Sequence, residues 1–308
     1  MTTHNRPPQD SPYVMVFAGP NGSGKTSLID EVKKTGLAAL GGIFPVPTYF
    51  INPDQFAKDL VGDYATQDER DRAAFNAAVA MRIKAIENRE TFAFETVMSH
   101  PSRINELVKL KKQGYQVLLV FITTDDPEKN VERVTDRFNS KTTTGHYVAP
   151  EKVRERYSRT LALLPKAVEI ADAAFIYDNS INDIPPSLQA LTDLETLSVD
   201  DHAKAWVSQK LVARLDSRGD QQFEIGFGGM GQISSVDADV LNGQYSGSIV
   251  KITEDYIVQL DNTSGLMIIH DRLMLDTSGN TPRDYSIADE LRIIYTVENA
   301  PEIFTLNH

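Results

Sequence analysis

Cysteine is absent from the chain, which excludes disulfide staples and thiolate metal centres. Long apolar runs are absent too: none approaches the roughly eighteen residues that a membrane-spanning helix needs. The first residues, Met-Thr-Thr-His-Asn-Arg-Pro-Pro-Gln-Asp-Ser-Pro, hold no apolar segment that would act as a secretory leader. Together these features lead to the expectation of a cytoplasmic protein without a membrane partner. Basic side chains are in deficit, 31 against 43 acidic ones, for a formal net charge of −12. Such a field repels polyphosphate backbones, so nucleic acid is not an expected partner, and any phosphate-bearing small ligand needs locally placed Lys and Arg. No fixed-period repeat or low-complexity tract is evident.

What the chain does contain is an alternation of strand and helix signals. Residues 1–11 read as a flexible tail. The apolar run Tyr13 to Ala18 reads as a buried parallel strand. A helix is predicted from Thr26 to Lys34, a strand over Thr48 to Ile51, a helix over Asp68 to Arg89 and a short strand over Thr91 to Phe94. Then follow a helix at Pro101 to Gln113, a strand at Tyr115 to Ile122, helices from Pro127 to Phe138 and from Pro150 to Ala171, and a strand at Ala173 to Tyr177. Parallel neighbours need crossover connections, so this order predicts an α/β fold with a doubly wound parallel sheet. Beyond a helix predicted at Asp200 to Leu215, glycines crowd the segment Ser217 to Gly231, and short alternating strands follow at Gly247 to Thr253, Tyr256 to Leu260 and Leu266 to His270. The predicted domains are therefore 12–216, a linker at 217–232 and a small β-rich domain at 233–308.

The sharpest motif is Gly19-Pro20-Asn21-Gly22-Ser23-Gly24-Lys25-Thr26, followed by Ser27. It satisfies G-x-x-x-x-G-K-[ST] and lies between a predicted strand and a predicted helix, which places it in a P-loop NTPase-type fold. Glycines let successive backbone N–H groups turn toward phosphate oxygens, and the helix start adds the positive end of its dipole. Lys25 is the candidate for the β- and γ-phosphates, and the Thr26 hydroxyl is the candidate Mg²⁺ ligand. A nucleoside triphosphate such as ATP is the implied ligand, but binding alone leaves kinase, ATPase and switch open.

A phosphoryl transferase also needs an acceptor site, a carboxylate to take the acceptor proton and cations around the transferring group. Asn52-Pro53-Asp54 follows the second predicted strand, and Phe94-Glu95-Thr96 ends the third, so Asp54 and Glu95 fall at the strand edge where doubly wound folds bind ligands. Read without chemistry, the first is a turn with a helix cap and the second a strand-end carboxylate. Arg133, Arg137, Arg154, Arg156 and Arg159 flank Thr144-Gly145-His146. They read either as a solvated helix face or as a lid closing over the γ-phosphate.

Taken in order, the phosphate loop, Asn52-Pro53-Asp54, Phe94-Glu95-Thr96, Arg133-Val134 with Arg137, Gly145-His146, Arg156 and Tyr177-Asp178-Asn179-Ser180 resemble the zeta toxin family of P-loop kinases. Members of that family phosphorylate the 3′-hydroxyl of the sugar in UDP-N-acetylglucosamine. The resemblance spans residues 11 to 180 and implies Asp54 as general base, Glu95 with Asn52 and Thr96 on the substrate side, and Arg137 and Arg156 as γ-phosphate clamps with Arg133 as a third. It places Asp178-Asn179 near the nucleotide base, with a local capping role as the equal alternative, and implies inhibition by an antitoxin protein. Val97 and Thr144 depart from the family pattern on the substrate side, so other nucleotide sugars, nucleosides or antibiotics stay open as acceptors. A nucleotide-gated interaction protein is the alternative from another class.

In the C-terminal part, Gly243 to Val250, Tyr256 to Leu260 and Ile268 to Asp271 resemble the small β-domain called KfrB of plasmid-encoded proteins. His270-Asp271 lacks a companion His or Cys at ligand spacing, so it reads as a structural strand-end pair.

Overall fold

The computed structural model describes residues 11–52, 66–140, 148–194, 196–227, 235–275, 283–297 and 300–306. Asp54, Gly145 and His146 lie outside the described residues. The chain divides into two compact units, the first built from residues 1–98, 110–160 and 167–204, the second from 99–109, 161–166 and 205–308.

The first unit is organised around β1 (Tyr13–Ala18), whose last five residues are buried. It pairs in parallel with β5 (Phe92–Thr96) on one side and β6 (Gln116–Thr123) on the other. A short β4 (Phe50–Ile51) extends the sheet beyond β5, and β7 (Ala173–Asp178) extends it beyond β6, both in parallel. The connections are α1 (Lys25–Thr35), α2 (Gln67–Glu87), α3 (Pro101–Lys112), α4 (Pro127–Ser140) and α5 (Pro150–Ile170). A small hairpin of β2 (Leu37–Ala39) and β3 (Gly42–Phe44) follows α1. Met15 and Phe17 of β1 and Leu118, Val120 and Ile122 of β6 pack with Leu28, Ile29 and Val32 of α1. The alternate residues Val14, Val16, Leu119 and Phe121 are equally buried, so both faces of the central strands are covered, as parallel sheets demand.

Two strands depart from the purely parallel expectation. β8 (Ser187–Asp193) and β9 (Thr196–Val199) add antiparallel to β7, giving the order β4-β5-β1-β6-β7-β8-β9. The eight residues from 179 to 186 are too few for the dozen or so of a crossover, so the chain can only turn back. All five parallel strands end at one edge, and the loops leaving that edge carry the phosphate motif, Asn52, Glu95, Thr124 and Asn179.

The second unit holds a six-stranded sheet in the order β10-β13-β12-β11-β14-β15. Its strands are Ser235–Asp237 (β10), Gln244–Ile252 (β11), Tyr256–Asp261 (β12), Met267–Asp271 (β13), Glu290–Ile294 (β14) and Glu302–Thr305 (β15). Ile249, Ile257, Leu275, Leu291, Ile293 and Tyr295 form its core. A short helix α6 (Ala205–Val207), a π-helical stretch at Ser208–Val212 and helix α7 (Ala213–Phe227) precede the sheet, and α8 (Arg272–Leu275) follows β13.

Where a glycine-rich linker is expected from residue 217, α7 runs on to Phe227. Each glycine costs a helix about 1 kcal/mol. Tertiary anchoring outweighs it: Arg218 is fully buried, donates to Asp271 at 2.6 Å and lies 5.0 Å over the Tyr256 ring. His270 is structural, as its sequence context implies. It is buried between the Tyr295 hydroxyl at 2.9 Å and Gln259 Oε1 at 3.1 Å. Gln259 Nε2 donates to two backbone carbonyls, so Oε1 must accept and the His270 Nε2 carries the proton. Burial pulls the His270 pKa down to about 3, against a smaller opposing pull from Asp261.

Candidate phosphate-transfer site

The loop between β1 and α1 is closed by its surroundings. Gly19 N donates to the Thr96 carbonyl at 3.2 Å. Gly24 sits at φ +97° as the residue before α1, and a Cβ there would lie 2.1 Å from Asn179 Nδ2. A side chain is therefore barred both by backbone conformation and by space. Asn179 in turn donates to the Ser23 carbonyl at 2.9 Å, tying the end of β7 to the loop. The Ser23 hydroxyl is buried with no hydrogen-bond partner among the described residues.

Lys25 is 8% exposed and turns back over the loop, donating to the carbonyls of Gly19 at 2.9 Å and Pro20 at 3.0 Å. Its ammonium lies 3.8 Å from Glu95 Oε1. Asn52 Nδ2 approaches Glu95 Oε2 at 3.4 Å. Lys25, at the start of α1, thus meets Glu95 and Asn52 from the ends of two parallel strands, which is the product of the parallel topology. Thr26 and Ser27 are exposed in the first turn of α1. An exposed Thr hydroxyl at that turn is a hard oxygen ligand of the kind Mg²⁺ takes, with phosphate oxygens and water completing the shell.

The predicted arginines separate into different roles. Arg156 reaches the loop, its Nη1 donating to Asn21 Oδ1 at 3.2 Å. Arg133 instead turns toward the loop after β7, where Nε and Nη2 both donate to Asn182 Oδ1, at 3.2 and 2.6 Å. It lines an open cleft of about 710 Å³ with Gly24, Ser27, Asn179 and an apolar lip of Ile181 and Ile184. Its Nη1 is buried without a partner among the described residues. Arg137 is exposed in the last turn of α4. Arg154 forms a two-pronged pair with Glu128, at 2.6 and 2.8 Å, which holds the Glu128 carboxyl below its ordinary pKa. Arg159 pairs with Glu155 one turn away. For these last two the solvated-face reading describes the geometry. Thr96 spends its hydroxyl on the turn that follows, accepting from Met98 N at 3.1 Å. Its carbonyl accepts from Gly19 N, and its hydroxyl keeps a proton to donate.

The sequence profile of the zeta toxin family matches residues 1–181. The chain belongs to the zeta toxin family. It is accordingly a member of a family of P-loop kinases. Among solved structures it is similar to a protein of the PezAT chromosomal toxin–antitoxin system of Streptococcus pneumoniae, at 15% identity over 72% of this chain and 91% of that one, with a TM-score of 0.43. It is similar as well to a Chloroflexus aurantiacus protein described as a kinase, at 14% identity over 49% and 80% of the two chains, TM-score 0.36. A Deinococcus radiodurans tunicamycin resistance protein matches at 15% identity over 48% and 79%, TM-score 0.28. At such distances these likenesses say nothing of activity. No curated protein matches the sequence. No helix among the described residues is long and apolar enough to cross a membrane.

Two residues that sequence reasoning passed over take part in this site. Asn182 receives Arg133, and Asn130 in α4 touches the phosphate loop. The signal for Asn130 was its spacing: positions 130, 133 and 137 follow i, i+3 and i+7 and so share one face of a helix.

Proposed function

We propose that this zeta toxin family member transfers the γ-phosphoryl group of ATP to a sugar hydroxyl, with the 3′-hydroxyl of UDP-N-acetylglucosamine as the acceptor. The observation that carries the reading is the convergence of Lys25, Glu95 and Asn52 beside the phosphate loop, at 3.8 and 3.4 Å. Asp54, two residues beyond Asn52, is the general base in this proposal and takes the acceptor proton. The acceptor oxygen then bonds to the γ-phosphorus as the bond to the bridging oxygen breaks and ADP leaves. Lys25 exchanges its two loop carbonyls for phosphate oxygens when the nucleotide enters, and Glu95 accepts a hydrogen bond from the acceptor sugar. Arg156, already at Asn21, and Arg137 are assigned to the charge on the transferring group. The Thr26 hydroxyl would hold Mg²⁺, whose charge would offset that of the phosphates. The cleft at Arg133 and Asn182 takes the nucleoside end of the donor, with Ile181 and Ile184 against the base. A protein inhibitor covering this edge is the proposed antitoxin partner.

The test is incubation with ATP, Mg²⁺ and UDP-N-acetylglucosamine, with mass spectrometry for the phosphorylated sugar nucleotide. Absence of that product, with product formed from a different nucleotide sugar, nucleoside or antibiotic, would overturn the acceptor assignment. Asp54→Ala should lose transfer and keep ATP binding. Undiminished transfer would remove Asp54 from the mechanism.

A further inference from the structure

Helix α4 begins directly against the phosphate loop. Pro127 opens it, and Asp126 caps it by accepting from Glu128 N at 2.9 Å. In its first turn Asn130 is completely buried. Its amide nitrogen donates to the Asn21 carbonyl at 2.6 Å, and its amide oxygen lies 2.5 Å from Thr124 Oγ1. The carbonyl can only accept, so the amide orientation is determined: nitrogen to the loop, oxygen to the Thr124 hydroxyl. The backbone is equally close. Gly22 sits at φ +77°, and a Cβ there would come within 2.5 Å of the Asn130 carbonyl oxygen. Tyr157 of α5 joins the same corner, donating to the Thr124 carbonyl at 2.7 Å.

We propose that Asn130 is a positioning residue that locks the phosphate loop and the arginine-bearing helix α4 into one register, so that the loop amides and Arg137 at the triphosphate, and Arg133 at the nucleoside cleft, meet the donor as a single preset surface. This rests on the kinase reading above, through the roles given to those arginines. The geometry itself does not depend on which acceptor is used. Asn21 is the shared point: its carbonyl is held by Asn130 and its side-chain oxygen by Arg156. A buried amide with both ends engaged resists rotation, because freeing either end strands a desolvated polar group. Movement of α4 therefore drags the loop with it. Arg133 and Arg137 ride on the same face one and two turns further along.

The test compares Asn130→Ala with Val134→Ala, which removes a buried apolar group one turn further along the same helix. Mg²⁺-ATP binding is read by calorimetry, and transfer by product formation. Asn130→Ala is expected to weaken ATP binding about tenfold and lower kcat about 10²-fold, the scale of a small misplacement of reacting groups, with acceptor KM unchanged. Val134→Ala should leave each within about twofold when both proteins are folded. Wild-type values for Asn130→Ala, or equal losses in Val134→Ala, would overturn the proposal. If the wild type bound ATP but transferred to no acceptor, the kinase reading would fail, and the ATP affinity ratio would still decide the role of Asn130. If Asn130→Ala does not fold, Thr124→Val, which removes the hydroxyl orienting the amide, should lower ATP affinity several-fold, and an unchanged affinity would overturn the proposal.

Discussion

Lys25 in the first unit and Arg218 in the second are both buried cations, and their surroundings differ in kind. Lys25 rests on two backbone carbonyls, with the Glu95 carboxylate 3.8 Å off. Arg218 is set against Asp271 at 2.6 Å and Asp255 at 3.5 Å, and Lys166 adds a second cation to Asp271 at 3.2 Å. Neutral carbonyls release an ammonium at low cost when a triphosphate arrives. Close carboxylates in a dry interior do not release a guanidinium, because either partner left alone is an uncompensated charge. The first arrangement suits a ligand site, the second a structural joint. Carboxyl pKa values in the joint follow its geometry. Burial alone raises a carboxyl pKa, but at Asp271 it is outweighed by Lys166 and Arg218, which hold the group below its ordinary range. At Asp255 burial prevails over Arg218 and Arg214, and the pKa is raised.

The comparison breaks most visibly at the joint. Arg218→Met should cost about 3–5 kcal/mol by denaturant unfolding, the range for removing one partner of a buried pair. A loss under about 1 kcal/mol would mean that Asp271 does not need the guanidinium. Lys25→Met should do the reverse, lowering kcat about 10²- to 10³-fold with the unfolding midpoint nearly unchanged. A large stability loss there would erase the distinction between the two cations.

His270 sharpens the picture of the second unit as a satisfied interior. Its folded pKa of about 3 lies below the ordinary value of 6.5. Between those limits the unfolded chain binds the extra proton, so the contribution of this group to stability falls as pH drops below about 6.5, by at most about 1.4 kcal/mol per pH unit. His270→Gln should flatten that part of the stability profile, and an unaltered slope between pH 6.5 and 4 would contradict the neutral buried imidazole. The smallest effect is expected at Glu95. Glu95→Gln retains the hydrogen-bonding shape but drops the charge facing Lys25, so acceptor KM should rise several-fold while ATP affinity holds or improves. A fall in ATP affinity would place Glu95 on the donor side instead.

Much of the first unit was legible from residues 13 to 178 because its signals are local. A buried apolar strand followed at once by a glycine loop and a helix needs no distant partner to be read. Glu95 and Asn52 could be assigned to the ligand edge because both end parallel strands. The antiparallel β8 and β9 were missed: what decides their direction is the length of one connection, not their own pattern. Arg133 shows the same limit at the site. Its spacing marked it as one of a cluster, yet it turns to Asn182, 49 positions along the chain, while Arg154 and Arg159 pair with acids on the helix surfaces.

The amino-acid order by itself determined the phosphate loop, the alternation that makes the first sheet, and the family, since these rest on contiguous residues and on strand and helix periods. Tertiary structure alone decided that a glycine-bearing segment becomes α7, that Asn130 is clamped to the loop and that Arg133 turns to Asn182 while Arg156 reaches Asn21. The physical reason is separation. Arg218 meets Asp271 across 53 positions and Asn130 meets Asn21 across 109, and contacts of that range leave no mark on local propensity, although their burial energies outweigh it.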